Sequence, residues 1–254
     1  MVDRLTVPGG GALPPQPGGD PRPGHRASLT ELAYDALKRE ILTAGIRPGA
    51  ALIENELAAR FGVSKTPIRE ALRLLVQDGW IVVLPRKGYL VRPLSLEDVR
   101  EVFALRLLLE PPVAADAATH SSEDLLERLR RAAGARQHLG AGGAVGGGEA
   151  PYRAAMRSAR AFHLTLAATA GNGRLLKVLE GLLDEVERLL HLMPQLGMPQ
   201  LGGHLASIAE TSAHRRIIAA IGAGDAPAAA EQVRAHLTQS GQTLVKAFGG
   251  VSER

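Results

Sequence analysis

Cysteine is absent from this 254-residue sequence, which excludes a disulfide framework and any thiolate metal site. Aromatic side chains make up only 3% of it, too few for the stacking platforms that hold single strands and RNA. No run of about 18 apolar residues occurs, the length a membrane-spanning helix needs, and the N-terminal stretch lacks an apolar signal core. A soluble cytoplasmic protein with no membrane partner is the expectation. Net charge is also small, at +4.

That small charge is unevenly placed. Residues 1–93 hold 13 Lys/Arg against 9 Asp/Glu, whereas the remainder holds 17 of each. The whole excess lies in the first third, a mild electrostatic footprint for nucleic acid. With so few aromatics, double-stranded DNA is the better partner.

The same third carries an ordered local pattern. Glu54, Leu57, Ala58 and Phe61 outline a short helix that Gly62 ends, as a residue free to take positive φ should. Ser64 is placed to cap the next helix, and Pro67 falls in its first turn. Ile68, Leu72, Leu75 and Val76 then give it one apolar stripe. Lys65, Thr66 and Arg69 sit near its start on the other side, where a recognition helix meets base edges and phosphates. After Gly79 and Trp80, Ile81–Leu84 and Tyr89–Val91 read as two strands around Pro85-Arg86-Lys87-Gly88. Adjacent Arg86 and Lys87 at a hairpin tip suit a wing on the phosphate backbone or over the minor groove. Any one of these basic residues alone is more often a solvated surface charge; the ordered combination is what points to a winged helix-turn-helix.

Three domains follow. Residues 1–27 are a Pro/Gly-rich tail, densest from Pro8 to Gly24, with almost nothing to bury and no fold. Residues 28–93 form the winged domain, opened by a Ser28/Glu31 capping pair on a helix running to about Ala44, with Ala51–Ile53 adding an edge strand. Residues 94–250 form an all-helical bundle of about six helices. Ser95 with Asp98 caps its first helix, which carries Val102, Leu105, Leu109 and Val113 and should kink or break at Pro111-Pro112. The Gly140–Gly148 stretch cannot hold regular structure cheaply. The fold class is mainly α.

The run Leu57-Ala58-Ala59-Arg60-Phe61-Gly62-Val63-Ser64-Lys65-Thr66-Pro67-Ile68-Arg69-Glu70-Ala71-Leu72, ending at Asp78-Gly79-Trp80, resembles the DNA-binding domain of GntR-type bacterial transcriptional regulators. Ser95-Leu96-Glu97-Asp98, Val102 to Glu110, Phe162-His163 and Ala170-Gly171-Asn172 resemble the FadR-like effector (FCD) domain of that family, and the likeness spans roughly Ser28 to Phe248. The resemblance implies a homodimer on a two-fold operator, a metabolite-responsive regulator and more commonly a repressor. By position it places Asn55, Ser64, Lys65, Thr66 and Arg69 against DNA, with Arg86, Lys87 and Gly88 on the wing. Asn55 and Lys65 depart from relatives that often carry Arg, and lysine lacks the bidentate fork that reads guanine.

His163, His214 and His236 recur at separations of 51 and 22 residues, each on a helical face with apolar neighbours. A lone histidine of this kind is more often part of a core or groove than a ligand. Many FadR-like domains, however, bind a divalent metal through an Asp, a His four residues later and two further His on the last helices, and the spacing resembles that pattern. Ala159 stands where the Asp would be. Three imidazoles with water or a ligand still make an acceptable zinc shell, so zinc, nickel or manganese stays in view, with Glu210 as a stand-in or outer partner. Arg106, on an otherwise apolar face with Phe103, Leu107 and Val113, has two readings. It pairs either with a small carboxylate effector, which the histidines would also line, or with Glu110 four residues on.

Two further function classes share these features. A metal-dependent hydrolase would use an open zinc position, but no well-placed general base, nucleophile elbow or phosphate loop accompanies the histidines. An effector-independent structural DNA binder needs no second domain of this size and is ordinarily more basic.

Overall fold

The computed structural model describes residues 28–86, 88–134, 149–193 and 208–252, with 149–153, 208–211 and 249–252 described by their helical backbone. The tail, the glycine-rich stretch and Lys87 lie outside the described residues. The chain divides into two units, residues 1–94 and 95–254.

In the first unit, helix α1 (Leu29–Leu42) starts at Ser28, whose hydroxyl accepts from the Glu31 amide while the Glu31 carboxylate accepts from the Ser28 amide. This reciprocal box satisfies two amides that a helix start leaves open. The helix stops two residues short of Ala44, which takes φ 55° in the turn that follows. Helices α2 (Glu54–Phe61) and α3 (Lys65–Gln77) flank a tight turn in which Gly62 adopts φ 66°. Ser64 occupies the N-cap of α3 with extended backbone, but its side chain makes no capping bond. One of the two amides that such a cap can take is missing, since the third helical residue is Pro67.

Strands β1 (Ala51–Leu52), β2 (Ile81–Leu84) and β3 (Gly88–Val91) form an antiparallel sheet in the order β1-β3-β2. The register pairs Leu84 with Gly88 and Leu52 with Tyr89, so the wing hairpin has a three-residue tip. Leu37, Ile41, Leu52, Ile68, Leu72, Leu75, Trp80, Ile81 and Val91 belong to one buried core shared by the helices and the sheet. The apolar stripe of α3 faces this core, which leaves its Lys65, Thr66 and Arg69 side on the surface.

In the second unit, six helices are present among the described residues: α4 (Leu96–Thr119), α5 (Glu123–Gly134), α6 (Glu149–Ala168), α7 (Gly173–Leu192), α8 (Ile208–Gly222) and α9 (Ala226–Ser252). Ser95 and Asp98 form a full capping box on α4, and Asn172 caps α7 by accepting from the Arg174 and Leu175 amides. Of the kink or break expected at Pro111-Pro112, the break does not occur: α4 continues through both prolines for another turn and more. Pro111, Val113, Ala114, Ala117 and Ala118 are all buried, and α9 packs along the same helix. That packing keeps the segment helical despite two missing amides, a tertiary gain outweighing a local cost. The approach is close: a Cβ on Gly241 of α9 would lie 3.0 Å from the Phe103 ring of α4.

Helices α4, α6, α8 and α9 converge at the centre of this unit. No helix among the described residues is long and apolar enough to cross a membrane.

Candidate nucleic-acid interface and candidate metal centre

The two sets of residues singled out from the sequence fall in different units. In the first, Asn55, Ser64, Lys65, Thr66, Arg69 and Arg86 are all exposed. Asn55 stands in the first turn of α2, Ser64 at the N-cap of α3, and Lys65, Thr66 and Arg69 in the first turns of α3, on the side that this helix turns away from its core.

Arg69 is not free there. Its Nε donates to both carboxylate oxygens of Glu54, at 3.2 and 3.1 Å, and its Nη2 donates to Glu54 Oε2 at 3.0 Å. Glu54 begins α2, and the Tyr89 hydroxyl on strand β3 reaches it at 3.5 Å. The bonds from Arg69 hold the Glu54 carboxyl below its ordinary range against the opposing effect of burial, and Glu54 in turn raises Arg69. Sequence reasoning named Arg69 and missed Glu54, although an acid facing the start of a basic helix was the signal.

On the wing, Arg86 takes φ 64° and Gly88 φ 91°. A Cβ on Gly88 would stand 2.8 Å from the Leu52 carbonyl oxygen, so glycine is required by the close approach of β1 to the hairpin, independently of any role toward DNA. The left-handed backbone at Arg86 is uncommon for a residue with a Cβ and turns its side chain at the hairpin tip.

In the second unit, His163 of α6, His214 of α8 and His236 of α9 come together, all buried. One ring nitrogen from each lies within 4.8 Å of the others. Nε2 of His163 is 3.3 Å from Nε2 of His236, matching the edge of about 3.3 Å expected between nitrogens bound to one tetrahedral zinc. The His163 and His236 rings stack, the His214 ring meets both edge-on, and Phe162 stacks on His214 at 4.0 Å. The donor set, its closeness and its burial fit a divalent ion.

Glu110 completes this centre. Its Oε2 lies 2.6 Å from His163 Nδ1, and its Oε1 accepts from Arg106 Nε at 2.6 Å. Arg106 and Glu110 are both buried. Burial pushes the Glu110 carboxyl up, but Arg106 and His163 outweigh it and hold it at about 2. Burial lowers His163 against the opposing pull of Glu110, and burial together with His163 and Arg106 lowers His236 to about 3. At neutral pH the His163 and His236 imidazoles are therefore neutral, the form that binds a metal.

Of the two readings of Arg106, the internal ion pair is present. It does not exhaust the guanidinium, because Nη2 is buried with no hydrogen-bond partner among the described residues. The side chain of Glu210, weighed as an outer partner, lies outside the described residues. The carboxylate that orients His163 comes from α4 instead. Sequence reasoning placed Glu110 only as a partner of Arg106, since its contact with a histidine 53 residues away depends on how α4 meets α6.

Comparison with known proteins agrees with this division. Residues 29–91 match the model described as "Bacterial regulatory proteins, gntR family", and residues 101–239 match the FCD domain. An HTH-type transcriptional regulator in an unstable DNA locus of Streptomyces ambofaciens is 31% identical over 215 residues, covering 80% of each chain. The HTH-type transcriptional repressor RspR of Escherichia coli is 36% identical over 103 residues, 41% of this chain and 45% of that one. Among solved structures, a GntR transcriptional regulator from Rhodococcus superposes with a TM-score of 0.71 at 21% identity, covering 87% of this chain and all of the other, a likeness of fold.

Proposed function

Because this chain belongs to the GntR family of bacterial regulatory proteins, with an FCD domain behind its DNA-binding domain, we propose that it is a cytoplasmic, metabolite-responsive repressor that binds a palindromic operator as a homodimer. Repression is supported by the matched relative RspR, itself a repressor. Asn55, Ser64, Lys65, Thr66 and Arg69 face the major groove, and Arg86, Lys87 and Gly88 form the wing on the backbone. Two copies are needed, since tight binding to a two-fold site requires two recognition helices on one face of the duplex.

In the FCD domain, His163, His214 and His236 hold a divalent ion, zinc, nickel or manganese, and a small carboxylate effector is bound beside them. Such an ion would supply a positive centre for the effector's oxygens. Glu110 holds the His163 Nδ1 proton, so that Nε2 presents its lone pair to the centre. Arg106 is oriented by Glu110 and keeps Nη2 for an incoming oxygen. The buried, unpartnered Nη2 is the single observation that carries the effector reading, because such a donor costs free energy until an acceptor arrives. Ligand entry changes DNA affinity only insofar as the effector prefers one arrangement of the dimer.

The hydrolase alternative is not favoured. Among the described residues the carboxylate beside the histidines, Glu110, is committed to Arg106 and His163 and is held at about 2, far too acidic to serve as a general base near neutral pH.

Gel-shift titration on the chain's own upstream region, with and without divalent metal and a panel of organic acids, tests the reading, with light scattering for mass. A dimer whose specific complex is released by a carboxylate in the presence of metal is expected. A monomer that binds tightly, or a complex indifferent to every metal and acid, would overturn it.

A further inference from the structure

The Arg69–Glu54 pair lies on the face where DNA is expected, and its geometry is side-on. A guanidinium has two hydrogen-bonding edges: Nε with one Nη along the side, and the two Nη nitrogens at the tip. Glu54 takes the side edge completely, through Nε and Nη2. Nη1 and the second proton of Nη2 remain, and these form the tip edge that pairs with O6 and N7 of guanine.

A carboxylate in this place is costly for general DNA affinity, since it sets a negative charge close to where phosphates come. It is also braced from two other elements. Glu54 is the first residue of α2, where the amide dipoles favour an acid, and the Tyr89 hydroxyl reaches it from the wing strand. The side chain is thus held by the recognition helix, the helix before it and the sheet.

We propose that Glu54 is a specificity-determining positioning residue: it clamps the side edge of Arg69 so that the tip edge is presented to a guanine in the operator. This rests on the reading that Arg69 faces DNA. Removing Glu54 frees Arg69 to swing to phosphates and removes one negative charge, so sequence-independent binding rises while selectivity at one base pair falls. A residue that merely stabilised the fold would not move base preference at one position alone.

The test is selection from a random-sequence duplex library with the full-length wild-type protein and the Glu54→Gln, Glu54→Ala and Arg69→Ala variants, each checked for an unchanged melting profile. Wild type should select a guanine at a defined half-site position. Arg69→Ala should lose that preference, and Glu54→Ala should lose it at the same position by about tenfold, with Glu54→Gln intermediate because one oxygen still accepts. Affinity of both Glu54 variants for non-selected duplex should rise a few-fold. If Arg69→Ala loses the guanine while both Glu54 variants keep it at wild-type strength, the clamp is wrong and the reading of Arg69 stands. If Arg69→Ala keeps the guanine too, both fall.

Discussion

Glu110 and His163 are joined by a 2.6 Å contact between Oε2 and Nδ1, although they stand on different helices and neither has appreciable exposure. The contact fixes both the rotation and the tautomer of the imidazole, which turns Nε2 toward His236. Partners of this kind tune a metal site from outside its donor set.

Glu110→Gln tests that role. The amide keeps an acceptor for Arg106 but presents His163 less firmly, and zinc affinity should fall about 10- to 100-fold. Isothermal titration of the metal-free protein reads the change directly. Wild-type affinity would show that the histidines are oriented by packing alone.

His214→Ala should abolish metal binding and effector response while leaving operator binding intact, because the DNA-facing residues belong to the other unit. Elemental analysis and gel shifts on the same preparation check both halves. Loss of operator binding by the well-folded variant would contradict the separation of roles.

The metal-free protein should weaken in mild acid. His163 and His236 are lowered in the folded state, so the unfolded chain takes up protons first, from about its ordinary value of 6.5 downward. Their stabilising contribution is present above that pH and is lost as pH falls toward about 3 for His236, approaching ~1.4 kcal/mol per pH unit for each imidazole. Glu110 adds the same sign between its ordinary 4.5 and about 2. Urea titrations between pH 7 and 5 should show the slope, and His236→Gln should flatten it.

Gly88→Ala should cost about 2 kcal/mol or more, since φ 91° and the Leu52 carbonyl leave no room for a methyl group. Denaturant midpoints measure the loss. A neutral result would mean that β1 moves aside easily.

Gly241→Ala sets two effects against each other. Alanine gains about 1 kcal/mol in a helix interior, but overpacking against a buried ring costs about 1 to 3 kcal/mol. Phe103 is buried and its own Cβ is 3.3 Å away, so net destabilisation is expected. Phe103→Leu in the same chain should recover it in a double-mutant cycle.

Local features were the legible ones. The Ser28–Glu31 and Ser95–Asp98 boxes, the Gly62 turn and the basic hairpin each depend on residues within a few positions of one another, and the winged fold follows from them. The helical pattern after Pro93 likewise announced the second unit. The expectation of a break at prolines 111 and 112 misled because the packing that keeps α4 helical through them comes from a helix over a hundred residues later. Ser64 misled for the opposite reason: Pro67 removes one of the two amides it could have capped, a feature visible in the sequence itself. The dual engagement of Glu110 depends on the meeting of α4 and α6, which no short-range pattern encodes.

Ala159 leaves the histidine centre electrically balanced. Arg106 and Glu110 cancel, and the neutral imidazoles of His163 and His236 add nothing, so these four side chains carry no net charge. A divalent cation arriving there would keep both of its charges uncompensated by these side chains, where an aspartate would have removed one. An anion that follows meets a stronger field for that reason, and by thermodynamic reciprocity the anion tightens the cation to the same degree. On the reading that both bind here, metal and acid would act as a co-dependent signal, and the apparent affinity for either one would depend on the concentration of the other.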